Sequence, residues 1–424
     1  MKIFKIILIG VAALLISLPL SAQHAEKKCH HGAVKVKPGI EVLRDRGFDV
    51  LKGKKVGLVT NPTGVDSHLK STIDILHEAE GVSLVALYAP EHGVRGDIYA
   101  GGSVKDDVDP ATGLPVFSIF GKYRKPSPEM IKDVDVLVFD IQDIGCRSYT
   151  FVSTLGLIME AAAENGKEVV VLDRPNPLGG ERVEGNLVYD GFYSFVSQFK
   201  IPYLYGLTLG ELAEMLNGEK MLKDGVQCKL TVVPMEGWRR EMLYEDTHLP
   251  WVLPSPHIPS TESSKYYPVS GILGELGYIS EGVGYTLPFQ LFVAEWIDGA
   301  ALAKRMNALN LPGIEFRPIF ITPFYGSKKG LQCSGVQTFI TDYKAARLVE
   351  IQFLVMQELA VLHPDKKVFE NCNTGRFRMF DIVCGSDFIR KTFSETYTWS
   401  SIKEFFEKDE AEFKARSSKY YLYK

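Results

Sequence analysis

Apolar residues fall along this chain in two rhythms. Short, nearly unbroken apolar runs occupy residues 55–60, 83–88, 115–119, 135–140 and 168–172. They do not alternate with polar positions, which is the pattern of strands covered on both faces. Between them, residues 69–80 and 150–165 carry apolar side chains at helical spacing, the second stretch stopped by Gly166. Strands alternating with helices predict right-handed βαβ units and a parallel sheet. The spacing therefore predicts a Rossmann-like N-terminal domain over residues 39–255. Pro250, Pro254, Pro256, Pro259 and Pro268 then crowd one segment. They predict a rigid, irregular crossing that lines a site between domains. Beyond it, helices are expected over residues 300–309 and 345–362 and a strand over 336–340. These make a smaller α+β C-terminal domain, residues 256–424.

The N-terminus follows neither rhythm. Lys2 and Lys5 precede an apolar run over residues 6–20, and Ser21-Ala22-Gln23 offers a small-residue cleavage site. The run is short for a membrane span and reads as a secretory signal peptide, residues 1–22. A flexible polar leader, residues 23–38, is expected to follow. The mature chain is then exported, periplasmic or secreted, and soluble. Cys29 lies beyond Glu26-Lys27-Lys28, too far from the apolar run for lipidation.

Charge and cysteine content narrow the function. A net charge of −4 argues against nucleic acid, which requires a basic face. Six cysteines are widely and irregularly spaced, with no CxxC or zinc-like pattern. Export permits disulfides, and Cys372 with Cys384 or Cys333 is the pair to test. No metal is expected, and neither G-x-G-x-x-G nor a P-loop supports a nucleotide cofactor.

In open parallel sheets, ligands bind beyond the carboxyl ends of the strands. Three strand ends carry polar clusters here: Glu91, His92 and Arg95; Asp140, Gln142, Asp143, Arg147 and Tyr149; and Asp173, Arg174 and Asn176. Glu91, at the lip of an apolar strand, is the candidate general acid, since desolvation raises a carboxyl pKa. The competing reading pairs it structurally with Arg95. Asp140 and Asp143 are candidates for sugar contacts or a second carboxylate, or are helix-capping residues. Arg147 suits a bidentate grip on a ligand carboxylate, or a salt bridge to Asp140 or Asp143. A second constellation, residues 275–285, holds Tyr278 and sets Glu281 before Gly282-Val283-Gly284, where glycine permits close backbone approach. With Ser255 and His257, it is expected to face the first set across a cleft.

Ala89-Pro90-Glu91-His92-Gly93-Val94-Arg95-Gly96, residues 138–145 (VFDIQDIG) and residues 172–180 (LDRPNPLGG) resemble the signature blocks of NamZ-like exo-β-N-acetylmuramidases. Residues 206–213, Pro250-Trp251-Val252, Pro254-Ser255-Pro256, Ser280-Glu281-Gly282 and the ending at residues 419–423 agree as well. The resemblance covers residues 38–424. It implies a Rossmann-like domain, a smaller C-terminal domain and a site in the cleft between them. It further implies removal of N-acetylmuramic acid from the non-reducing end of peptidoglycan fragments, without an organic cofactor. The family's conserved Glu of the Glu-His-Gly block falls on Glu91. Departures lie at Tyr205, Tyr278, Val283, Tyr285, Leu287, Gln290 and His257. They alter the sugar-contacting wall rather than the acid.

Glycosidases typically use two carboxyl groups, and Asp143, Asp140 and Glu281 are the candidates for the second. An acetamido group of the substrate is an alternative nucleophile. A rival class is an exported amino-sugar or muropeptide binding protein without turnover. An acyl or amide hydrolase lacks support, since no G-x-S-x-G elbow is present.

Overall fold

A computed structural model describes residues 35–96 and 107–424. The expected signal peptide, Cys29-His30-His31 and most of the expected leader lie outside the described residues. The leader's end does not. Val36 is fully buried, and Lys37 pairs with Glu236 through two backbone hydrogen bonds. The ordered fold therefore starts before residue 38.

Seven strands form the large sheet: β1 (Lys55–Thr60), β2 (Ser83–Ala89), β3 (Asp107–Val108), β4 (Pro115–Ser118), β5 (Val136–Asp140), β6 (Glu168–Leu172) and β7 (Lys229–Val233). Their order is β3-β4-β2-β1-β5-β6-β7, and all neighbours are parallel except β3 with β4. Both faces are covered, as the unbroken apolar runs predict. Val59, Leu137, Phe139, Val169 and Val171 pack on one side against helices Phe151–Glu164 and Leu209–Gly218. Leu58, Val136, Val138 and Val170 pack on the other against helices Gly39–Asp45 and Thr72–Glu78.

A smaller domain follows. Strands β8 (Leu291–Ala294), β9 (Ile314–Ile321) and β10 (Cys333–Ile340) form an antiparallel sheet in the order β8-β10-β9. Helices Thr261–Gly274, Gly299–Ala308 and Ile351–Leu362 contribute to its core. That core also takes in Ile144, Leu178 and Tyr203 from the first domain, so one apolar cluster joins both. The proline-rich crossing is less irregular than expected. From Thr261 it is helical, with Pro268 inside and Ser260 capping the N-terminus by accepting from Ser263 N. The expected helix over 345–362 starts only at Ile351. Its preceding turn is held by Glu184, which accepts from Leu348 N and Val349 N. The disulfide candidates Cys333, Cys372 and Cys384 are buried and unpaired, as are Cys146 and Cys228.

Candidate active site

The chain leaves β1 outward to β2 and β4, then returns to the other side of β1 as β5. The β1/β5 junction is thus the topological switch point where ligands commonly bind. Here the protein fills it with its own side chains. Arg174 forks onto Asp140, Nε to Oδ1 at 2.5 Å and Nη2 to Oδ2 at 2.9 Å. Thr72 donates to the same carboxylate, and Thr60 Oγ1 donates to the Asp140 carbonyl. Asp140 has no solvent exposure.

Its neighbours are committed in the same way. Asp143 Oδ2 accepts from Tyr205 Oη at 2.5 Å and from Gly145 N at 2.7 Å. Burial pushes its pKa up to about 6. Gln142 donates to the carbonyls of Asp143 and Pro175. Asp173 accepts from Thr208 Oγ1, Gly210 N and Tyr423 Oη, tying a helix N-terminus and the chain's end to β6. Burial raises its pKa to about 6 as well. Asn176 bridges Leu207 O and Leu178 N. Arg147 is almost wholly buried and donates to the carbonyls of Asn186, Ile201 and Val383. Arg95 pairs with Asp109 at 2.7 Å rather than with Glu91. Asp140, Gln142, Asp143, Arg147, Asp173, Arg174 and Asn176 therefore hold the strand-end loops together, and the structure does not bring them into the open cleft.

The cleft lies beside the switch point. It is a cavity of about 340 Å³ lined by Glu91, His92, Ser148, Tyr149, Thr150, Ser255, His257, Tyr267, Glu275, Glu281, Val283 and Phe289, among others. Glu91, His92, Tyr149, Ser255, His257 and Glu281 are thus brought together from both halves of the sequence. Tyr278 is not among them; it stacks on Trp296, ring centroids 5.3 Å apart.

Local backbone explains how the two glutamates reach the cavity. After β2 the chain turns at Pro90, and His92 (φ 76°) and Gly93 (φ 77°) are both left-handed. That conformation is costly for a non-glycine residue and persists where the surroundings enforce it. It turns Glu91 toward the start of helix Phe151–Glu164, where Thr150 Oγ1 donates to Glu91 Oε2 at 3.2 Å. Glu281 lies on a segment that bridges to β8: Ser280 and Val293 exchange two backbone hydrogen bonds. Its carboxyl packs on Gly274, where an added Cβ would lie 3.0 Å from Glu281 Cδ.

The Glu281 carboxyl is desolvated. Burial, reinforced by the neighbouring Glu275 carboxylate, pushes the Glu281 pKa up to about 7. Glu275 is itself raised by burial. Burial and the nearby His92 lower the pKa of His257, which favours a neutral ring. Burial holds the Tyr149 and Tyr267 phenols well above their ordinary range, so both remain neutral donors. Among the described residues, no lysine or arginine lines the cavity, and no three His, Cys, Asp or Glu side chains converge as a metal-binding set. Tyr267, Phe289 and Thr150 were not among the sequence candidates. The apolar or turn-like setting of each gives no local sign of a site.

Models of the exo-β-N-acetylmuramidase NamZ family match residues 56–262 with their N-terminal domain and residues 265–423 with their C-terminal domain. The chain belongs to this family. It is 43% identical over 389 residues to the peptidoglycan β-N-acetylmuramidase NamZ of Bacillus subtilis, covering 92% of each protein. Two solved structures of DUF1343 family proteins from Bacteroides fragilis are also similar. One is 59% identical with a TM-score of 0.89, covering 92% of this chain and all of the other. The second is 29% identical with a TM-score of 0.72, covering 92% of this chain and 99% of the other. The NamZ relative is a glycosidase by its name, and a cleft holding two carboxyl groups in unlike environments is suited to that chemistry.

Proposed function

We propose that the chain hydrolyses the glycosidic bond of a non-reducing terminal N-acetylmuramic acid, or a closely related amino sugar, in peptidoglycan fragments. One observation carries the reading: Glu91 and Glu281, from different domains, line one cavity. Burial of the Glu281 carboxyl, which raises its pKa to about 7, suits it to hold a proton there. In this scheme Glu281 is the general acid. It gives its proton to the glycosidic oxygen as the bond to the anomeric carbon breaks, and water supplies the new hydroxyl. Glu91, oriented by Thr150, is the second carboxylate on the sugar. Tyr149 and Tyr267 donate hydrogen bonds to sugar oxygens, while His92, Ser255 and His257 complete the polar wall. Asp143 and Asp140 become positioning residues, since their oxygens are bonded within the loops. Export after removal of residues 1–22 belongs to the same reading and is tested by the mass of the mature N-terminus, expected near Gln23.

The experiment is turnover of a β-N-acetylmuramide with the released sugar identified. Free N-acetylmuramic acid or its close analogue is the expected product. Saturable binding with no release favours the amino-sugar binding protein instead.

A further inference from the structure

On the proposed cleavage of a terminal sugar, that ring occupies the cavity of about 340 Å³, and the remainder of the saccharide extends toward its mouth. One side of that mouth is built from aromatic rings that the catalytic scheme does not use. The β9–β10 connection carries Phe324, 61% exposed, and Tyr325, 47% exposed. These are large apolar surfaces to leave in water.

The connection is fixed to the cleft wall. Phe324 N donates to Gly284 O at 2.7 Å, and a bond from Gly330 N to Pro323 O at 2.9 Å closes the connection on itself. The fit is tight, since a Cβ on Gly284 would fall 2.2 Å from Tyr325 O. Tyr325 stacks on His257, centroids 5.9 Å apart and planes 19° apart. Phe324 packs on Tyr285, centroids 5.4 Å and planes 31° apart. His257 and Val283 line the cavity itself, so Tyr325 and the Gly284–Tyr285 segment continue its wall outward. Tyr285 is also a residue at which this chain departs from the family pattern.

We propose that Phe324 and Tyr325, backed by Tyr285 and His257, form a stacking platform for the sugar on the leaving side of the scissile bond. The proposal rests on the glycosidase reading and adds to it a subsite for the second ring. The apolar face of a pyranose suits a flat aromatic surface that neither buries charge nor demands fixed hydrogen bonds. Continuity with the cavity selects this occupant over a separate partner.

The test compares two substrates in the full-length mature protein and in Phe324→Ala. One is a disaccharide with a sugar leaving group. The other is the corresponding glycosyl fluoride, whose leaving group has no face to stack. Phe324 is exposed, so its removal leaves the fold intact. Tyr325→Ala is the second variant and reads the His257 side of the platform. For Phe324→Ala, kcat/KM on the disaccharide should fall about ten- to a hundred-fold, mostly through KM, with the fluoride changed by less than about twofold. Equal loss on both substrates, or no loss on either, overturns the platform while leaving the glycosidase reading in place. A concentration-dependent dimer that Phe324→Ala dissolves assigns the patch to a second copy and also overturns it. Absence of wild-type turnover on both substrates overturns the glycosidase reading, and the platform with it.

Discussion

Glu281 sits where its charged form is disfavoured, and that has consequences for both rate and stability. Its folded pKa of about 7 exceeds the ordinary 4.5. Stability is therefore fully present below about pH 4.5 and declines as pH rises through about 7, by up to about 3 kcal/mol if the shift is fully realised. Glu281→Gln removes the ionisation. Its melting temperature should match wild type near pH 5 and exceed it at pH 8; a deficit at both pH values contradicts this. The kcat/KM of wild type should fall above about pH 7 as the acid loses its proton. Both glutamates were legible in the sequence as candidates, Glu91 at the lip of an apolar strand and Glu281 before Gly282-Val283-Gly284. The fate of the other carboxylates was not. Asp140 is neutralised by Arg174, 34 residues away, and Asp173 accepts from Tyr423, 250 residues away. No local pattern shows such distant partners, so residues that look alike at three strand ends divide into wall and scaffold only in the fold.

At the scale of elements, helix Thr261–Gly274 delivers a bare surface to Glu281. Gly274→Ala places a methyl group against the Glu281 carboxyl and should lower kcat by about 10- to 100-fold, as small misplacements of catalytic groups do. Gly271→Ala, one turn earlier on the helix, meets only ordinary contacts, the nearest at 3.4 Å, and should alter kcat by less than about twofold. Equal effects at the two positions contradict the close fit. The five central strand runs were legible because burial on both faces leaves an unbroken apolar stretch. Strand β7 was not, since it is an edge strand buried fully only at Val233. Helix Leu209–Gly218 was also missed as an element, although Thr208 and Glu211 form a capping box whose spacing is a recognisable start signal. The helix through Pro268 was hidden because proline clusters ordinarily mark irregular chain.

Across the whole molecule, the chain's end returns to the first domain. Tyr423 Oη donates to Asp173 and accepts from Met235 N at 2.9 Å. Arg147 clamps carbonyls from both sides of the domain junction. Tyr423→Phe leaves Asp173 and Met235 short of a partner and should cost about 1–3 kcal/mol, read as a lower urea midpoint with unchanged kcat. An unchanged midpoint shows the tail to be an ornament. The two-domain α/β organisation was legible from the change of pattern along the chain, while these clamps depend on the final packing. Because Val283 and Leu287 stand where the family pattern carries arginines, discrimination between N-acetylmuramides and N-acetylglucosaminides should be below about 100-fold in kcat/KM, equivalent to less than about 3 kcal/mol. Stricter preference for the muramide contradicts this. The central claim, that Glu281 donates the proton while Glu91 acts as the second carboxylate, is tested most directly with aryl glycosides of graded leaving-group acidity. For Glu281→Gln the account predicts a loss of about 10²–10⁴-fold on the poorest leaving group, shrinking steadily as the leaving group improves. Near-full activity of Glu281→Gln on the poorest leaving group, or the same graded dependence in Glu91→Gln instead, would contradict it.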